Sequence, residues 1–267
     1  MNRIFKIELI KIRSNASFWV LASLHIGIIM LVVLSGKVFL KTLNIDGQSI
    51  TNLMNTSSIP IYQFPDVWHN ITYVAGYLKF ILAIYVIISI TSEIGYDTLR
   101  LNIMNGLSRG EFIASKMFLV MLLSFFSTVF LFIAGLALGL TSTPNLELHY
   151  IIKYSGFIPA YFLLLTAYLI FAMLIGLLIK RTGLAMGLMF LYTIIIEPVI
   201  VLNIDTVWIK GLFPLKAINN LIHMPFGKYL LREVQDYVAM KDIVIVVAYM
   251  GVFLYCIFLL LRKRDLK

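Results

Sequence analysis

Residues 93–116 read EIGYDTLRLNIMNGLSRGEFIASK, a charged stretch set between two long apolar runs. The runs on either side are long enough to cross a hydrocarbon core of about 30 Å, which takes roughly 20 helical residues. The chain therefore leaves the apolar phase near Glu93, turns in water and re-enters near Lys116. Inside the interruption, Asp97 is placed to cap a short helix running to about Asn105, and Gly106 suits the left-handed position just past its end. Ser108 and Glu111 then form the S-x-x-E pattern of a capping box at the start of the next apolar helix. Caps are worth about 1 kcal/mol each. That fixes where helices begin, and leaves a plain connector and a docking element equally open.

Outward from this segment the composition is that of an integral membrane protein. The chain has 267 residues, 61% hydrophobic and only 13% charged, with a mean hydropathy of +0.95. A soluble domain would carry roughly a quarter charged residues. The apolar blocks far exceed the alternating ten-residue segments of an outer-membrane barrel, so the spans are helices. The pattern predicts an all-α membrane protein, a single transmembrane domain over 1–267, with spans at 17–37, 69–92, 111–140, 152–179, 183–204 and 242–261.

The net charge of +9 is distributed as a topology signal, and this tells against a nucleic-acid partner. Arg3, Lys6, Lys11 and Arg13 precede the first block; Arg100, Arg109 and Lys116 follow the second. Lys180 and Arg181 follow the fourth, and Arg262, Lys263, Arg264 and Lys267 the last. The positive-inside bias then puts both termini in the cytoplasm, in agreement with an even number of spans. Some of these cations also face anionic membrane lipids. The first apolar run is too long for a signal-peptide core and has no small-residue cleavage site after it, so it reads as a retained span.

Residues 1–14 read as an amphipathic interfacial helix, with Met1, Phe5, Leu9 and Ile12 on one side and Arg3, Lys6 and Arg13 opposite. Glu8 and Lys11 blur that pattern, and a basic tail that only enforces topology is the other reading. The polar stretch 41–67, with Asp46-Gly47, Pro60 and Pro65, is an outside loop. The segment 205–240 mixes Trp208, Phe213, Phe226 and Tyr229 with Lys210, Lys216 and Asp236, divided by Pro214 and Pro225. Short re-entrant helices at the outer interface suit that mixture. No internal repeat supports an inverted-repeat carrier. Cys256 is the single cysteine, which excludes an intramolecular disulfide.

The order Glu93, Thr98-Leu99-Arg100, Gly106, Ser108-Arg109, Glu111 and Lys116 resembles the signature between the second and third spans of ABC-2 type transporter permeases. The N-terminal interface helix, six spans and short outer helices resemble that type V exporter-like family too. So does the run Leu212-Phe213-Pro214-Leu215 followed by Ala217 and Asn219-Asn220-Leu221. The resemblance implies that 93–110 is a coupling helix docked on a separate cytoplasmic ABC ATPase subunit. It makes Glu93, Thr98, Arg100, Arg109 and Lys116 the expected ATPase-coupling residues, with Glu93, Arg100 and Arg109 in a network that also reaches the N-terminal helix. It implies a second permease copy or a related permease as partner, and a place in a bacterial inner membrane. The first, second and fifth spans would border the path of a hydrophobic or amphipathic cargo. ATP and Mg would be held by the ATPase, and no cofactor by this chain.

Other residues are read from chemistry alone. Glu197-Pro198 lies in the fifth span, where a charge costs on the order of 2.5–3.5 kcal/mol at the bilayer centre and proline removes a helix hydrogen bond. Either the pair is a carboxylate and hinge lining the substrate path, or the span ends early at the outer interface. Lys79 interrupts the second span; its long stem suits snorkelling outward, with a gating role on the path as the other reading. Gly135-x-x-x-Gly139 and Gly183-x-x-x-Gly187 allow close helix approach. His25, His69, His149 and His223 are scattered without a metal motif, so no metal site is expected. The chain lacks a G-x-x-x-x-G-K-[ST] loop and any nucleophile–base ordering, so it is expected not to be an enzyme on its own. An ATP-independent channel or secondary carrier, and a membrane scaffold or immunity protein, are the alternatives.

Overall fold

The computed structural model describes residues 2–45, 61–144, 147–230 and 234–263, so most of the expected 41–67 loop lies outside the described residues. Among the described residues the chain is helical, with no strand. Helix α1 (Asn2–Ser14) meets α2 (Ala16–Ile45) at a sharp elbow; the Asn15 side chain accepts the Ser17 amide there, and the Trp19 indole donates to the Arg13 carbonyl. Next come α3 (Asp66–Tyr77) and α4 (Lys79–Gly95), the short α5 (Thr98–Met104) and the long α6 (Arg109–Ser142). The chain continues through α7 (Leu148–Ile152), α8 (Phe157–Ile179), α9 (Thr182–Leu191), a π-helical turn (Tyr192–Ile196) and α10 (Glu197–Leu202). Short helices α11 (Val207–Gly211) and α12 (Pro214–Asn219) and a 3-10 turn (Pro225–Leu230) precede α13 (Met240–Lys263).

Among the described residues four stretches are long and apolar enough to cross a membrane by themselves: Arg109–Ser142, Leu148–Ile179, Thr182–Leu202 and Met240–Arg262. The number rises to six if each of two bent pairs is one span, α1 with the start of α2 (76°) and α3 with α4 (43°). Lengths differ from the sequence expectation at several ends. The first span helix runs on to Ile45, and the fourth begins with a separate turn, α7, set off by the left-handed Tyr154.

Helix α8 is the axis of the bundle. It packs against α4, α13, α6 and α3, and 72% of its most apolar window is buried, against 17% for Thr182–Leu202 and for Met240–Arg262. A helix apolar on every side suits the centre, so α8 carries no stripe. The two outlying spans turn most of their apolar surface outward. Small residues set the closest approach: a Cβ on Gly135 would stand 2.5 Å from Ile71 Cδ1 and 2.7 Å from Trp68 Cζ3, and one on Gly139 would run into the Phe64 ring. Those glycines seat α3 on α6 within the chain, whereas Gly183 and Gly187 face open space. A polar strut crosses the same core, His25 Nε2 to Ser127 Oγ at 2.9 Å and on to Tyr161 Oη at 3.1 Å, linking α2, α6 and α8.

The connections sort to two ends. At one, here the near end, Glu93 meets α1, Thr91 Oγ1 meets Thr182 Oγ1 at 2.8 Å, and Arg109 meets Arg262. At the far end the Trp68 indole donates to the Ile151 carbonyl at 2.8 Å, His69 pairs with the His223 carbonyl at 2.8 Å, and the Tyr249 hydroxyl donates to the Leu212 carbonyl. Lys6, Lys11, Arg13, Lys180 and Arg181 thus share the near end with α5, while Lys153, Lys210 and Lys216 belong to the far end.

Candidate functional site

The near end is organised around Lys116, in the second turn of α6. Its ammonium donates to Glu8 Oε1 of α1 at 2.8 Å, to Glu93 Oε1 of α4 at 2.8 Å and to Ser89 Oγ at 3.1 Å. Three donors meet three acceptors, which uses the full capacity of a lysine. Lys11 approaches from the water side and donates to the same Glu93 oxygen at 2.7 Å. The Lys116 side chain is 1% exposed and that of Lys11 42%, so only the first pair of bonds is sheltered from screening. Two carboxylates and two ammoniums balance, and one helix each of α1, α4 and α6 is pinned at a single point.

This contact explains why α1 reads imperfectly as an amphipathic helix. Among its described side chains Glu8 and Ile12 are buried, and the Phe5 ring packs at 4.9 Å from Phe118 of α6. Leu9, expected on the buried side, is half exposed with Ile7 and Ile10. The buried face is thus Phe5, Glu8 and Ile12, and it includes the charge that blurred the pattern.

Above this clasp, α5 forms the short helix expected after Glu93. Asp97 does stand at its start, but in a left-handed conformation (φ 53°) with no side-chain cap. The expectation of a side-chain cap is corrected here: the Thr98 hydroxyl instead donates back to the Glu93 carbonyl at 3.1 Å and closes the turn. Gly106 is left-handed at φ 92°, and the capping box forms, with the Glu111 amide donating to Ser108 Oγ at 3.2 Å and the Ser108 amide to Glu111 Oε2 at 2.8 Å. Arg109 Nη1 donates to the Arg262 carbonyl at 2.7 Å, satisfying one of the four orphan carbonyls at the end of α13. The Arg100 side chain lies outside the described residues.

Of the five expected coupling residues, four therefore make bonds within the chain: Glu93 and Lys116 to α1, Thr98 to its own turn and Arg109 to α13. Among the described side chains of α5, the exposed ones are apolar. Leu99 is buried beneath it, while Leu101 (55%), Met104 (69%) and the preceding Tyr96 (79%) are exposed. Sequence reasoning passed over these three; the i, i+3 spacing of Leu101 and Met104 on a charged connector was the available signal.

At the far end Glu197 is buried, and its two oxygens accept the amides of Lys216 at 2.5 Å and Leu215 at 3.2 Å. It caps the start of α12, a third arrangement beside the path-lining and early-ending readings. Pro198 follows the π-helical turn, and the helix continues through it to Leu202. A widened turn absorbs the missing amide, so the span is not cut. Lys79 opens α4 just after the bend at Leu78 and is buried, so the snorkelling expectation is corrected. Its ammonium donates to Asn219 Oδ1 of α12 and lies 5.0 Å from the centre of the Tyr168 ring. Burial holds the nearby His223 imidazole below its ordinary pKa, so that ring is neutral at pH 7. Among the described residues no three His, Cys, Asp or Glu side chains gather to hold a metal ion. No protein-family model matches the chain, and no curated protein matches it.

Proposed function

We propose that this chain is the permease subunit of an ATP-driven ABC-2 type exporter, moving a hydrophobic or amphipathic substrate across a bacterial inner membrane. A separate cytoplasmic ABC ATPase binds ATP and Mg, and a second copy or a related permease completes the path. Both termini face the cytoplasm in this reading, because Lys6, Lys11, Arg13, Lys180, Arg181 and Arg262 lie at the end that carries α5 and positive charge marks the inner face. The observation that carries the reading is α5 itself: a two-turn helix joined by short turns to the apolar helices α4 and α6, with Leu101 and Met104 exposed. Apolar side chains at an aqueous end are the natural anchor for a partner groove. The clasp at Lys116 ties α4 and α6, the helices on either side of α5, to α1, so a push on α5 is passed to all three.

The test is co-expression with a cytoplasmic ABC ATPase, sought in the reading frames beside this one. Leu101→Asp with Met104→Asp should abolish co-purification and the vanadate-sensitive ATP hydrolysis of the complex, while the membrane subunit still folds. Undiminished association and hydrolysis in that double variant would remove α5 as the input point. One observation favours a gradient-driven carrier, the buried Lys79 beside a far-end cavity. That reading requires the chain alone to transport in liposomes without any ATPase.

A further inference from the structure

A cavity of about 630 Å³ opens at the far end between the α3–α4 bend, α8, the π-helical turn and α12. Lys79, Lys216, Tyr168 and Asn220 belong to its polar wall, Phe80 and Ile194 to its apolar wall, and among the described residues no carboxylate lines it. A lysine only 7% exposed at this depth ordinarily has an anionic partner. Lys79 has none in contact: its bonds are to the neutral Asn219 oxygen and the face of Tyr168. Glu197 attracts it from farther off, but both Glu197 oxygens are already engaged by the α12 amides. An ammonium has three donors, so Lys79 keeps capacity beyond Asn219. Lys216 adds a second cation, and Tyr168 a hydroxyl paired with Thr193 Oγ1 at 3.1 Å.

We infer that this cavity binds the oxyanion headgroup of an amphiphile, with Lys79 and Lys216 as its cationic partners and Phe80 and Ile194 against its chain. The charges give affinity for the anion; the apolar wall demands a tail, which distinguishes a lipid-like ligand from free phosphate. Binding is read on the full chain alone, so its result is independent of ATP-driven export.

The experiment is calorimetric titration of the full chain, purified in a maltoside detergent, with dodecyl phosphate and separately with inorganic phosphate. Dodecyl phosphate should bind saturably at one site, and inorganic phosphate far more weakly. Lys216→Gln and Lys79→Met should each weaken dodecyl phosphate by about tenfold or more, the usual size of a charge-assisted hydrogen bond. Ile194→Trp should weaken it as well, by filling the apolar wall without touching a charge. Lys216 is exposed, so its variant decides the matter even if Lys79→Met does not fold. Unchanged affinity in Lys216→Gln and Ile194→Trp would overturn the site. Inorganic phosphate binding as tightly as dodecyl phosphate would overturn the amphiphile.

Discussion

Lys116 shows how far one side chain's surroundings change its worth. Exchanging it for Met leaves Glu8 and Glu93 buried with only the half-exposed Lys11 as counter-ion. Breaking a buried pair in this way costs about 3–5 kcal/mol. Lys11 is bonded at a similar distance but sits 42% exposed, and its loss should cost about 0–1 kcal/mol. The apparent unfolding midpoint in one detergent should therefore fall steeply for Lys116→Met and barely for Lys11→Ala. Restoring neutrality with Glu8→Gln beside Lys116→Met, which leaves Glu93 paired with Lys11, should recover much of the loss. Equal midpoints for the two single variants would contradict the burial argument. Sequence spacing identified Glu93 and Lys116 as notable, but not what they bind. Glu8, which completes the clasp, read there as noise on an apolar face.

At the scale of elements, caps and breakers were the most legible features. Ser108 with Glu111 and Gly106 act where their residue types demand, because those interactions are local and need only a few neighbouring residues. Asp97 was misread for a physical reason: in the left-handed conformation its carboxylate makes no cap bond, and Thr98 closes the turn instead. The two small-residue pairs look alike as strings and behave differently in space. Gly135 lies under Trp68 and Ile71, and Gly183 under nothing. Gly135→Leu should therefore lose about 1–3 kcal/mol through overpacking, whereas Gly183→Ala should stay within about 0.5 kcal/mol. Thermal unfolding of the two variants distinguishes them, and a tolerated Gly135→Leu would mean that α3 is not seated on α6 as described.

The whole molecule has two chemically distinct ends, and this makes a topological prediction. With Cys256→Ala as background, Leu101→Cys in α5 should react with a membrane-impermeant maleimide from one side only. Thr206→Cys, just before α11, should react only from the other. Labelling of both from the same side would overturn the two-ended arrangement. The apolar blocks, the basic clusters and the interruption at 93–116 were enough to anticipate a helical chain with several helices long and apolar enough to cross a membrane, and where one pair of them is interrupted. These are properties of composition and of local turns, and each depends on residues close together along the chain. Which helix is central, which lysine is buried and what Glu197 bonds to depend on contacts between residues far apart in sequence. Lys116 meets Glu8 across 108 positions and Lys79 meets Asn219 across 140. Only packing of the helices decides such partners, because a buried charge acquires its counterpart from whatever element the fold lays against it.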